Sequence, residues 1–172
     1  MMQSNNQVQQ RNELNSLSDI ELIDYILKRF HERHRDQLSS VLEDADKVVS
    51  VHGDHERCPR ELARILREVA GELEAHMLKE ERVLFPMICS GQGAYAVGPI
   101  SVMSAEHEMH LESVAKLDAM TRDECLPEDA CGTWRRLFNG VQELITDLRT
   151  HIEVENEILF ARLQGLSLDD KC

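Results

Sequence analysis

The sequence predicts an all-α protein, an up-down four-helix bundle, and three observations carry that expectation. Pro and Gly are scarce, 4 and 8 in 172 residues, which suits long helices rather than the frequent turns of a β-sandwich. Apolar residues recur every three or four positions over four long segments, the pattern of helices with one buried stripe. Short breaks join these segments, and antiparallel packing of neighbours is the simplest way to bury all four stripes together. A chain of this length buries one core and is too short for two full domains.

Residues 1–17 are rich in Asn and Gln and aperiodic, and read as a disordered polar tail before a domain over 18–166. Ser18-Asp19-Ile20-Glu21 has the S-x-x-E form of a capping box and starts the first helix, whose stripe is Ile20, Ile23, Leu27, Phe30 and Leu38. Breaks follow over 52–59, 89–99 and 121–132. Pro59 and Pro99 fall in the first turns of the second and third helices, where the missing N–H costs nothing. The second stripe is Leu62, Ile65, Val69 and Leu73; the third, Ile100, Met103, Leu111 and Val114. The fourth is Trp134, Leu137, Val141, Leu144 and Leu148.

A formal net charge of -13 repels phosphates and so argues against nucleic acid or an anionic membrane as partner. No apolar run approaches the roughly 20 residues of a membrane span, and MMQSNNQVQQ lacks the apolar stretch of a signal peptide. A soluble, cytoplasmic protein is expected. Cys58, Cys89, Cys125, Cys131 and Cys172 are odd in number and form no CxxC pair. They read as reduced and mostly structural, neither a disulfide framework nor a zinc knuckle.

Chemistry enters where the stripes are interrupted. The second stripe extends past Leu73 onto His76 and Glu80, and the fourth past Leu148 onto His151 and Glu155. Each pair is spaced i, i+4, which stacks both side chains on the core-facing side of its helix. The third stripe meets His107 between Met103 and Leu111. One such histidine is ordinarily a core residue satisfied by a hydrogen bond. Two carboxylates in one core layer are different, because each costs several kcal/mol unless paired or metal-bound and the two repel each other. A cation between them removes both penalties.

The chain also repeats itself. His76-Met-Leu-Lys-Glu80 is followed by Leu84-Phe85, and His151-Ile-Glu-Val-Glu155 by Leu159-Phe160. Upstream, His31-Glu-Arg-His34 is echoed by His107-Glu-Met-His110 at nearly the same offset. This is a doubled helical hairpin in which each half offers one histidine from its first helix and H-x-x-x-E from its second, a frame for two metal ions bridged by two carboxylates. Glu81 is set aside as a bridge because its counterpart is Asn156. His34 and His110, at i+3, also lie near the buried face. His52 and His55 have no counterpart in the second half. Imidazole and carboxylate without thiolate suit iron, and histidine outnumbers carboxylate here, the reverse of ferritin-like sites.

The runs RFHERHRDQL (29–38), HMLKEERVLFPMI (76–88), GPISVMSAEH (98–107) and HIEVENEILF (151–160) resemble the repair-of-iron-centres proteins, bacterial hemerythrin-like di-iron proteins. The resemblance covers most of the chain. It implies His31, His52, His76, His107 and His151 as ligands of two Fe ions in an oxo- or hydroxo-bridged di-iron centre, with Glu80 and Glu155 bridging. Five histidines can saturate one iron and leave a position open on the other for O2, NO or peroxide. The resemblance further implies a stress-response role, the repair of iron–sulfur clusters damaged by nitric oxide or oxidants, by donation of iron to damaged iron–sulfur proteins. Reduction of NO at the centre, a nitric oxide reductase activity, is a second implied function, and a homodimer is the implied assembly. Glu106, next to a ligand, is implied to lie on a path to the centre. The N-terminus departs from the family's usual pattern, in which a cysteine-bearing domain stands where this chain has a polar tail.

His52 rests on that resemblance. A continuous helix would carry it about 31 Å from His31 at about 1.5 Å per residue, so the chain is expected to bend or reverse near Ser39-Ser40. The rival reading is a hemerythrin-like carrier or sensor of O2 or NO, separable from an iron donor by reversible O2 binding without iron release. A third is a bundle without iron, its histidines serving as core polar groups or zinc ligands.

Overall fold

The computed structural model describes residues 2–122 and 125–169, and no strand occurs among them. Helix α1, Met2–Ser16, occupies the segment expected to be a disordered tail. Its composition leaves no apolar stripe to read, and tertiary contacts hold it instead. Leu14 joins an apolar cluster with Leu22 and Ile158. Arg162 donates to the carbonyls of Leu14, Asn15 and Leu17, satisfying acceptors that a helix end leaves open.

Helix α2 is one rod of three pieces: Asp19–Ile26, a π-helical turn at Leu27–His31, and Glu32–Val51. Its start is the expected capping box. The Ser18 N–H donates to Glu21 Oε2 at 2.9 Å, and the Glu21 N–H returns to Ser18 Oγ at 3.3 Å. The bend expected near Ser39-Ser40 does not occur, since both residues lie inside Glu32–Val51. Helix α3 runs Arg60–Lys79, then a π-turn at Glu80–Leu84, then Phe85–Cys89. After a 3-10 turn at Gly93–Tyr95 comes α4, Val97–Met120. Helix α5 is Gly132–Val154, a π-turn at Glu155–Phe160, and Ala161–Asp169.

Helices α2 to α5 pack in a ring, α2 against α3 and α5, α4 against α3 and α5, which is the up-down four-helix bundle. Its core is divided. One apolar cluster, with Leu38, Leu73, Leu117, Trp134 and Leu148, fills one end. A second, with Ile26, Phe30, Phe85, Ile100 and Phe160, fills the other. Each such side chain, fully buried, contributes about 1.5–3 kcal/mol. Between the clusters lies a layer of buried polar residues, His31, His34, His76, Glu80, His107, His110, His151 and Glu155.

Two stripe residues are corrected. Ile20 is 60% exposed and Leu111 40%, because the α4 stripe passes through His107, His110 and Val114, and α2 turns Leu22 and Ile23 inward. Cys58, Cys89, Cys125 and Cys131 are free thiols; Cys172 lies outside the described residues. No described helix is long and apolar enough to cross a membrane.

Candidate metal centre

Each of the four bundle helices sends one histidine into the polar layer: His31 from α2, His76 from α3, His107 from α4 and His151 from α5. Helices α3 and α5 add Glu80 and Glu155 one turn further on. All six are at most 1% exposed. The π-turns fall at these positions, ending at His31 and beginning at Glu80 and Glu155. A π-turn admits an extra residue and re-aims the side chains around it, which is why such turns gather at functional sites.

The donors form two sets that share both carboxylates. His31, His151, Glu80 and Glu155 bring their ligand atoms within 4.8 Å of one another, and so do His76, His107, Glu80 and Glu155. Glu155 divides its oxygens, Oε1 lying 3.0 Å from His151 Nε2 and Oε2 3.1 Å from His107 Nε2. Glu80 Oε2 lies 3.3 Å from His31 Nε2 and 3.5 Å from His76 Nε2.

The outer nitrogens decide what faces inward. His31 Nδ1 bonds Glu81 Oε1, His76 Nδ1 bonds Glu106 Oε2 and His107 Nδ1 bonds Asn156 Oδ1, each at 2.9 Å. A carboxylate can only accept, so His31 and His76 carry their protons on Nδ1, and the Nε2 lone pairs point into the layer. His76 Nε2 and His107 Nε2 are 3.1 Å apart. That matches the ~3 Å between neighbouring nitrogens bound at ~2.1 Å around one ion. Both oxygens of Glu80 and of Glu155, with Nε2 of His31 and His151, are buried without a hydrogen-bond partner. Lone pairs converging in a dry layer repel one another unless protons or cations lie between them, and cations reconcile the whole set at once. The donor set therefore fits metal ions.

Titration follows the same logic. Burial and the facing Glu155 push the Glu80 carboxyl well above the usual range. Glu155 is equally buried, yet His151 and His107 hold it well below. Burial pushes His76 down to about 4 despite the attraction of Glu155. His107 is raised, since Glu155 outweighs the effect of burial.

The structure thus brings together His31, His76, Glu80, His107, His151 and Glu155. It places His52 elsewhere. His52 follows the last residue of α2, with Nε2 3.1 Å from Cys131 Sγ and its ring 5.4 Å from that of Trp134, and it belongs to neither donor set. The straight run of α2 through Ser39-Ser40 is the physical reason. Glu106, expected along a path to the centre, is the acceptor that orients His76, and it pairs with Lys79. Glu81 and Asn156, set aside as bridges, each follow a shared glutamate and anchor the first-helix histidine of their own half. The repeat held that signal, since the pairs His31–Glu81 and His107–Asn156 correspond.

Phenyl rings close the layer on the side of the second cluster. Phe30 stacks on His151, Phe85 on His31 and Phe160 on His107, with ring centroids 4.9, 5.7 and 5.8 Å apart. These features together define a cation-binding four-helix bundle with histidine-rich donor sets linked by shared carboxylates. Residues 22–163 match the hemerythrin HHE cation binding domain, and the chain belongs to that family. It is similar to the iron-sulfur cluster repair protein YtfE of Yersinia pseudotuberculosis, 48% identical over 141 residues, 82% of this chain and 64% of that protein. The protein of the same name from Pectobacterium carotovorum subsp. carotovorum is 49% identical over 142 residues, 83% of this chain and 64% of its own length. The chain thus spans 64% of the length of these curated relatives.

Proposed function

We propose that this protein holds two iron ions, one in each donor set, and serves the repair of iron–sulfur clusters damaged by nitric oxide or oxidants by donating iron to the damaged proteins. The observation that carries this reading is the division of Glu155 between the two sets, Oε1 toward His151 and Oε2 toward His107. Neutral imidazole and carboxylate with no thiolate suit iron among the common metals. The names of the similar proteins support the repair role.

When bound, iron supplies a one-electron couple per ion and a ferrous form labile enough to be passed on. The chain supplies the rest. Glu81 and Glu106 fix the tautomer and aim of His31 and His76, Asn156 aims His107, and Phe30, Phe85 and Phe160 keep bulk water from the layer. A dry, apolar-walled site also admits a small neutral diatomic, and NO reduction there is a second activity within this proposal.

The test is metal analysis of protein from iron-replete cells, followed by anaerobic mixing of the reduced protein with an iron–sulfur enzyme inactivated by NO, without added iron. About two irons per chain and recovery of the enzyme are expected. Less than about one iron per chain would sink the reading. Reversible O2 binding without recovery would instead establish a carrier or sensor.

A further inference from the structure

The distal end of the bundle carries chemistry that the metal layer does not use. We propose that Cys131 is a reactive thiol, served by His52 as its base, that exchanges with small disulfides from solvent to form a reversible mixed disulfide. The proposal is independent of the iron reading, since His151 stands about 30 Å further along the same helix at about 1.5 Å per residue.

Cys131 is the N-cap residue of α5, yet its side chain makes no capping hydrogen bond. Its Sγ lies instead 3.1 Å from Nε2 of His52, the residue that closes α2. A thiol within hydrogen-bond reach of an imidazole is a nucleophile beside its base. The start of α5 adds open N–H groups and the positive end of the helix dipole. Arg136, paired with Asp44, is close enough to Cys131 for a charge there to raise its own hold on its proton. These are the surroundings in which thiols react, and Cys131 is half-buried, shielded but reachable.

A second observation points to an incoming molecule. Trp134, one turn on from Cys131, is 1% exposed, its ring 5.4 Å from those of both His52 and His55, and its Nε1–H has no partner. A buried donor left open against the pair can receive a carbonyl or carboxylate of the disulfide's substituent.

Neighbouring groups supply the controls. The Arg57 N–H donates to His55 Nδ1 at 3.0 Å, so the proton of His55 sits on Nε2, which faces Asp129 at 3.5 Å. His55 thus has no lone pair to offer Cys131. Cys89 is exposed, but it ends α3, where the negative end of a helix disfavours a thiolate. Among the described cysteines, Cys131 is the one with an imidazole nitrogen in reach.

In the exchange, the Cys131 thiol gives its proton to His52 Nε2, and the thiolate sulfur attacks one sulfur of the disulfide in line with the other. A new S–S bond forms to Cys131 as the old one breaks. Its electron pair leaves on the second sulfur, which takes the proton back from His52 and departs as a thiol. Cys131 is oxidised, the departing sulfur is reduced, and excess thiol reverses the step.

The experiment mixes the reduced full chain with oxidised glutathione, follows the fluorescence of Trp134, the sole tryptophan, and maps the product by tandem mass spectrometry. Glutathione is expected on Cys131, with a fluorescence change that dithiothreitol reverses and Cys131→Ser abolishes. At pH 7 Cys131 should react at least about fivefold faster than the more exposed Cys89. The rate should fall at least about tenfold in His52→Ala and His52→Gln and stay within about twofold of wild type in His55→Ala. At about pH 9.5, above the ordinary thiol range of about 8.5, hydroxide removes the proton unaided and the His52 variants should converge on wild type. That convergence separates a base from a residue that merely shapes the site. Faster labelling of another cysteine, His52 variants within about twofold of wild type at pH 7, or a deficit that persists at about pH 9.5 would each overturn the proposal. Missing iron in protein that still shows the exchange would count against the iron reading and leave this one standing.

Discussion

The eight histidines of this chain fall into two groups, and the contrast shows what makes a metal site. Six lie in the layer between the two apolar clusters, none more than 4% exposed. The other two, His52 and His55, sit half-buried at the end of α2. There His52 meets Cys131 Sγ, and His55 has Asp129 at 3.5 Å and the Arg57 N–H at 3.0 Å. Residue type is the same in both places. In the distal group each ring finds an ordinary partner or solvent, whereas in the central layer outer oxygens meet Nδ1 of His31, His34, His76 and His107, and unpartnered nitrogens of His31 and His151 face unpartnered carboxylate oxygens. Unsatisfied lone pairs converging in a dry place, rather than a count of histidines, mark the candidate site.

The largest effect that sharpens the contrast is expected from Glu155→Leu, which removes a side chain facing both donor sets. Bound metal should drop from two ions per chain to less than one, while His52→Leu keeps the wild-type content; equal loss in both, read by metal analysis, would erase the distinction. Next comes Trp134→Ala at the distal end. Trp134 is 1% exposed and packs against the rings of both His52 and His55, so the cavity should cost about 3–5 kcal/mol in urea unfolding. Metal content per folded chain should not change.

Glu80→Gln should act with opposite signs in two states. In chelator-treated protein it removes a buried carboxyl whose charged form is disfavoured by burial and by Glu155, and a gain in stability to urea is expected once pH is high enough to draw the proton from Glu80; metal-loaded protein should instead lose stability. The pH dependence follows from the raised affinity of Glu80 for its proton. Since the folded chain holds that proton more tightly than the unfolded one, this contribution is full below the ordinary carboxylate range and fades as pH rises. Chelator-treated Glu80→Gln should therefore lose less stability than wild type as pH rises. An unchanged slope would break the account.

The smallest effect is expected at Asp147. Burial would raise this carboxyl, yet hydrogen bonds from Arg29, Arg33 and Gln37 hold it below the usual range. Its contribution is thus present above the ordinary range and lost as pH falls. Asp147→Asn should cost about 1 kcal/mol at neutral pH and nothing once wild-type Asp147 is protonated, as denaturant titrations at several pH values would show.

Much of this was legible in the chain. The three-and-four spacing marked the four rods, Ser18 and Glu21 marked the start of the first, and the paired H-x-x-x-E segments marked four of the six convergent donors. The third stripe added His107, and the repeat added His31. What misled was local. The polar first residues gave no stripe, so a helix held by Leu14 and Arg162 was read as a tail. His52 was admitted on resemblance, and a bend was then required that Ser39-Ser40 do not make.

By itself the sequence determined the four bundle helices, most of their inward faces and the residue types able to ligate, because periodicity and side-chain chemistry are local properties. Only the tertiary structure decided which histidines share a centre, where the protons sit and which imidazoles are anchored. Those depend on distances between helices and on outer partners such as Gln37 and Asp147, which lie far apart in the chain and meet only when the rods pack.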